Sequence, residues 1–363
     1  MLRTLAFLCF SLFAICPQAF AAIELHDVSG RTVTLDTLAK RLLVDDGRII
    51  FALSFLSDDP ASLIAAWPHD IDRLGRAPYA ALEKLSPEIG TLPATGSNAS
   101  GMSAEAILSV DPDLVVLSVY SQFSDDRVRL LERAGVPVIY VDFVTDPLEN
   151  ADKSLLLLGA ATGHAAAAHK LVAFRSAHRD AIARRLQQAG RVERPSLFLE
   201  THASATGQCC FSPGKAGIGR LIAFAGADNI GNALGNKPFG QLTIEAIFTA
   251  DPQIYIASGG AYMKDRDGLL IGPGFSAEDE RQSLDRLLDR PGFNGLSAVE
   301  TGRIHAMDRH LFDPVIDILA LELLAKWAHP DLFADLDVDA TRTALDQMTP
   351  LGVARGYWRG AGK

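Results

Sequence analysis

Arg48, Arg76 and Arg309, together with Tyr79, Tyr120, His202 and Tyr262, stand in segments that follow short apolar runs. Guanidinium groups pair anionic or delocalised oxygen, and aromatic rings cover a broad rigid face. Such a set suits the holding of a ligand rather than its conversion. Motifs for bond-breaking chemistry are absent: there is no Gly-x-Ser-x-Gly elbow, no His-Glu-x-x-His pair and no Walker glycine loop. Gly214-Lys215-Ala216-Gly217 lacks the hydroxyl residue that follows lysine in a phosphate loop. No catalytic residue is assigned. Nor is a bare-metal site, because no His-rich loop or compact His and carboxylate set occurs. His202 and His310 could ligate a metal centre carried within a larger ligand, and Tyr262 could supply a phenolate.

Stepping outward from these residues, the chain reads as strand and helix in alternation, the pattern of parallel sheets covered by helices. Strands are expected at Arg41–Asp45, Asp113–Ser118, Val136–Asp142, Pro195–Glu200, Gln253–Ser258 and Arg303–Met307. In parallel sheets ligands bind beyond the carboxyl ends of the strands, which is where the candidate residues lie. Sliding the chain by 140 residues lays Met102–Ser118 over Leu242–Ser258, with six of 17 positions identical. Each copy carries a capping Ser or Thr, a Glu in the first helical turn, an Asp-Pro break and a buried strand. Two similarly built lobes follow. Between the copies, residues 164–189 contain no proline and are flanked by Gly163 and Gly190, which predicts a helix of about 26 residues, roughly 39 Å long.

The 363 residues carry 34 Lys+Arg against 44 Asp+Glu, a net charge of −10, with no concentrated basic patch. That argues against nucleic acid as a partner, since phosphate would be repelled. Arg3, the apolar run Leu5–Ile15 and Ala19-Phe20-Ala21 read as a signal peptide cleaved before Ala22. Removal of residues 1–21 leaves a charge of −11 and only two thiols, the adjacent Cys209 and Cys210. Both a pair of small reduced residues and a vicinal disulfide fit that position, the latter in a strained eight-membered ring.

The exported start, the paired Ser103-Ala104-Glu105-Ala106-Ile107 and Thr243-Ile244-Glu245-Ala246-Ile247 segments and the long helix together resemble the periplasmic substrate-binding proteins of iron-siderophore, haem and cobalamin ABC importers. Ser212-Pro213-Gly214, Ala225–Ile230 and Gly302–Met307 add to the match. The resemblance implies an α/β fold of two Rossmann-like lobes with parallel sheets, joined by one long rigid α-helix, with the ligand cleft between them. On that basis residues 22–150 form the N-terminal lobe, 151–190 the helical linker and 191–363 the C-terminal lobe with its terminal helices. It implies a monomer that captures a ferric siderophore, or else haem or cobalamin, needs no cofactor, and delivers its load to the permease dimer of the inner membrane. Glu105 and Glu245 would dock into arginine pockets of that permease. Where family members often have a Ser/Thr-Glu segment after the first strand, this chain has Asp45-Asp46-Gly47-Arg48. From another class, a secreted hydrolase on an α/β fold is the alternative.

Overall fold

Short apolar runs bounded by turn residues become the strands of two separate sheets. The computed structural model describes residues 22–96, 102–121, 123–206 and 209–359; the leader and the cleavage expected before Ala22 lie outside them. A hairpin of β1 (Ile23–His26) and β2 (Thr32–Leu35) precedes the first sheet. That sheet comprises β3 (Leu42–Val44), β4 (Ile64–Ala66), β5 (Leu114–Ser118) and β6 (Val138–Val141), in the order β4-β3-β5-β6 and parallel throughout. Every residue of these four strands except Tyr140 is buried, which is why their sequences do not alternate.

The second sheet is built from β7 (Ser196–Glu200), β9 (Asp228–Asn229), β11 (Ile254–Gly259), β12 (Ile304–Asp308) and β13 (Trp358–Arg359). Its order is β13-β12-β11-β7-β9, with only β13 running antiparallel to its neighbour. Two short strands, β8 (Phe211–Ser212) and β10 (Gly240–Gln241), pair antiparallel outside it.

The 140-residue correspondence extends to the caps. Ser103 and Thr243 each accept a hydrogen bond at 3.2 Å from the backbone N–H of Ala106 and Ala246. The helices Ala104–Val110 and Ile244–Ala250 both end on a left-handed aspartate, Asp111 and Asp251, before β5 and β11 begin. A helix that feeds directly into a parallel strand has its own N-terminus near the carboxyl ends of that sheet. Exposed Glu105 and Glu245, in the first turns, therefore stand on the same rims as the ligand loops.

The connection between the sheets is two packed helices. Asn150–Thr162 ends at left-handed Gly163, and Ala165–Gln188 then runs for 24 residues, about 36 Å. Arg175, in the middle of the second helix, is fully buried: it donates to Asp152 at 2.7 Å, to the Val315 carbonyl at 2.7 Å and to Asp317. His178 meets Glu322 at 2.6 Å. Asp317 and Glu322 belong to the helix Asp317–Ala328, which also packs on the helix Ile218–Phe224. Further on, Thr349 bonds Ser54 of the first lobe at 2.7 Å through their hydroxyls. The C-terminal segment thus braces both lobes, and one hydrophobic cluster contains Leu42 and Val44 of one sheet and Leu197 and Ile254 of the other.

Candidate functional site

The carboxyl ends of the two sheets face each other across a cavity of about 350 Å³. From the first lobe it receives Arg48, Arg73, Tyr120, Phe143 and Pro147; from the second, Thr201, His202, Phe239, Tyr262 and Arg309. Asp46 is the N-cap of the helix Gly47–Ser54 and accepts from the Arg48 backbone N–H at 2.9 Å. The same carboxylate receives Arg48 Nε at 2.9 Å and Nη2 at 2.7 Å, Arg73 Nη1 at 2.7 Å and the Tyr120 hydroxyl at 2.6 Å. One buried anion therefore orders two guanidiniums and a phenol. Burial disfavours the Asp46 charge, but Arg48, Arg73 and the Tyr120 hydroxyl outweigh it and hold the carboxyl well below its usual range. Arg73 also meets Asp70 at 3.7 Å, and Asp313 lines the same cavity, so the guanidiniums present directed N–H donors there with carboxyl groups beside them.

Arg48 also lies 5.6 Å from the centre of the Tyr120 ring and donates to its hydroxyl. Burial pushes the Tyr120 phenol upward, so it is neutral at ordinary pH. On the opposite wall Arg309 sits 5.3 Å from the Tyr262 ring centre, and the Tyr262 hydroxyl lies 2.8 Å from His202 Nδ1. Burial first, then the cations Arg309 and Arg266, push the His202 imidazole below its ordinary value, which keeps it neutral. Tyr262 is likewise raised by burial. These residues follow strand ends: Arg48 after β3, Tyr120 after β5, His202 after β7, Tyr262 after β11 and Arg309 after β12. The rest of the lining is mostly apolar, from Phe143, Val144, Pro147, Ile218, Leu221, Phe239 and Phe312, with Thr201, Ser258 and buried Asp313 as its polar members.

Five of the seven residues expected at the ligand are thus brought together, and two are not. Arg76 has 69% of its side chain exposed and pairs with Asp72 at 3.3 Å. It lines a narrow crevice beside the cavity rather than the cavity itself. Tyr79 donates to Glu83 at 3.2 Å and rests 6.0 Å from the Trp67 ring. The segment read as a loop is the helix Arg76–Leu85, with Pro78 in its first turn, and that helix turns both side chains away. His310 is not free to ligate: Nδ1 faces Asp308 at 2.7 Å and Nε2 faces the Asp72 carbonyl at 3.1 Å. Arg73 was not anticipated; it lies in the short helix Ile71–Leu74 and joins the site only through its contact with Asp46, 27 residues away.

Cys209 and Cys210, just before β8 and outside the cavity lining, bring their sulfurs into bonding contact across a cis peptide. Arg290 reaches Cys209 Sγ at 3.6 Å while holding both oxygens of Glu200 at 2.7 Å. Glu200 is close enough to the two sulfurs to form a three-donor group, but its carboxylate is already paired. Intact-mass measurement after alkylation without reductant is expected to find no alkyl adduct, and two adducts after reduction; two adducts in the first sample would show free thiols.

No curated protein matches the chain. Among solved structures, the TroA-like periplasmic binding protein FepB from Veillonella parvula is similar at 23% identity and a TM-score of 0.81, covering 93% of this chain and 99% of that one. The molybdate periplasmic binding protein MolA of Haemophilus influenzae aligns at 17% identity and a TM-score of 0.68 over 92% of this chain and 99% of its own. A periplasmic heme binding protein from Pseudomonas aeruginosa aligns at 20% and 0.54, over 81% of this chain and 94% of its own. These likenesses concern the fold. The family model described as periplasmic binding protein matches residues 54–311. With most of the chain inside that match and a two-lobed cleft to go with it, the protein belongs to the periplasmic binding protein family.

Proposed function

We propose that this chain captures a ferric siderophore in the periplasm and hands it to the permease dimer of an ABC importer, acting as a monomer and performing no chemistry. Export would follow cleavage before Ala22. The observation that carries the ligand reading is the pairing of Arg48, Arg73 and Arg309 with Tyr120 and Tyr262 in one cavity between the lobes. Anionic chelate oxygens find guanidinium donors there, and the flat organic body finds rings and apolar side chains. The neutral imidazole of His202 is available to an incompletely coordinated metal. The heme-binding neighbour supports an iron-bearing ligand by analogy of fold, while MolA shows that the same fold can also serve a molybdate-binding protein.

The test is a titration of the mature protein, followed by tryptophan fluorescence and visible absorption, against a ferric tris-catecholate, a ferric trihydroxamate, haemin, cyanocobalamin and molybdate. Saturable binding of a ferric chelate, with the tris-catecholate tightest, is expected. Preference for haemin, with a Soret band altered in His202→Ala, would replace the siderophore by haem. Binding of none, with hydrolysis of an ester or phosphate panel, would overturn the reading in favour of a hydrolase.

A further inference from the structure

The two lobes touch on both sides of the cavity. On one rim the Gly217 N–H donates to the Thr145 carbonyl at 2.9 Å, and Arg220 pairs with Asp146. On the other, a single main-chain oxygen of the first lobe, that of Asp72, receives both Arg309 and His310 from the second. The first rim depends on a peptide N–H and on an arginine–carboxylate pair. The second depends on an imidazole beside the Arg309 guanidinium.

His310 is built into its place. Asp308 accepts its backbone N–H at 2.9 Å and its ring Nδ1 at 2.7 Å. The ring edge lies against Gly75, where a Cβ would come within 3.3 Å of both Cδ2 and Nε2 and where φ is +95°. Both ring nitrogens therefore face acceptors, a carboxylate on one side and a carbonyl on the other. A neutral imidazole has one N–H and can satisfy only one of them; the imidazolium satisfies both.

We infer that His310 is a proton-operated clasp between the lobes: protonated, it ties the β12 end of the second lobe to the Asp72 carbonyl of the first and holds the cleft shut, and on losing its proton it releases that contact. The groups around it agree. From its own turn come Asp308, Arg309 and Asp313, whose carboxylate is 4.0 Å from Nε2; the C-terminal segment contributes the Tyr357 ring at 6.4 Å; and the first lobe offers the Asp72 carbonyl, its own carboxylate being turned to Arg76. Burial works against the ring's charge, but the Asp308 hydrogen bond and the charges of Asp308 and Asp313 outweigh it and raise the imidazole above its ordinary value, Arg309 opposing only in part. With the value raised in the closed form, closure takes up a proton. Its contribution is complete below the ordinary histidine range and is lost as pH rises through the raised value.

The inference concerns lobe motion and is tested without ligand, so it can fail while the ferric-chelate reading stands, and the reverse. Exposed Asp126 of the first lobe and Asp285 of the second would be replaced by cysteine, spin-labelled without reductant, and their separation measured by pulsed electron resonance at about pH 5.5 and about pH 8.5. The unaltered clasp is expected to show one compact distribution at the lower pH and roughly a threefold larger open fraction at the higher. His310→Gln, which keeps a neutral donor, is expected to give the same distribution at both values. An open fraction independent of pH in the parent, or a pH response that survives in His310→Gln, overturns the proposal. Thermal unfolding of each variant separates loss of the clasp from loss of the fold.

Discussion

Cells whose only copy of this protein carries Glu105→Arg and Glu245→Arg are expected to import no chelate, although the purified double variant binds that chelate with unchanged affinity. Both glutamates are exposed, in the first turn of helices capped by Ser103 and Thr243. The Glu105 backbone N–H first, then the Ser103 hydroxyl, hold the Glu105 carboxyl below its usual range, so it is ionised throughout the neutral region. If the two residues did no more than favour the helix dipoles, reversal would slightly weaken each helix start and change nothing in transport. If they are the contacts for a permease of two like subunits, reversal sets arginine against arginine at two symmetric points, where like charges cost several kcal/mol. Uptake of radiolabelled chelate by intact cells distinguishes the two, with affinity of the purified variant as the control. Unchanged uptake would leave the dipole role alone standing. Single reversals are expected to fall between.

The prominence of those two residues comes from a feature plain in the sequence. Cap, glutamate, Asp-Pro and strand recur 140 residues apart because each lobe must start a helix at the rim, end it sharply and enter a strand buried on both faces. Local rules govern all four steps, so the pattern survives in the residues. Long-range rules govern the rest. β4 is three residues long and follows a 3-10 turn, so nothing local separates Ile64–Ala66 from other apolar turns; Arg73, in the short helix beyond it, joins the site only through Asp46, 27 residues away. Arg76 and Tyr79 surround a proline that reads as a loop but occupies the first turn of a helix, where its missing N–H does no harm. Asp46 explains most. The Asp45-Asp46-Gly47-Arg48 departure marked the loop as unusual, yet its importance lies in gathering Arg48, Arg73 and Tyr120 on one carboxylate, a convergence across 74 residues of chain. The His310 contact with Asp72 spans 238 residues and is equally invisible to spacing.

That convergence decides which cleft cation should be removed to test the ligand's charge. Replacing Arg48 would leave buried Asp46 with one cation fewer, and breaking a buried pair costs about 3–5 kcal/mol whatever the ligand is. Arg309 is the better choice, because it meets a main-chain carbonyl and the Tyr262 ring rather than a buried carboxylate. A hydrogen bond to a charged group contributes about 1.5–3 kcal/mol, so Arg309→Ala is expected to weaken an anionic ferric tris-catecholate by roughly 10- to 150-fold. A neutral ferric trihydroxamate of similar size, which gains little from the charge, should lose threefold or less, a margin of about 0.6 kcal/mol. Because both chelates enter the same cleft of the same variant, any loosening of the lobes from the missing Asp72 contact weakens them alike and cancels in the ratio. Titration of both chelates into both proteins reads that ratio directly. Equal losses would mean that Arg309 serves only to hold the lobes together, and the case for an anionic ligand would then have to rest on Arg48 and Arg73, whose shared Asp46 already offsets one of their two charges.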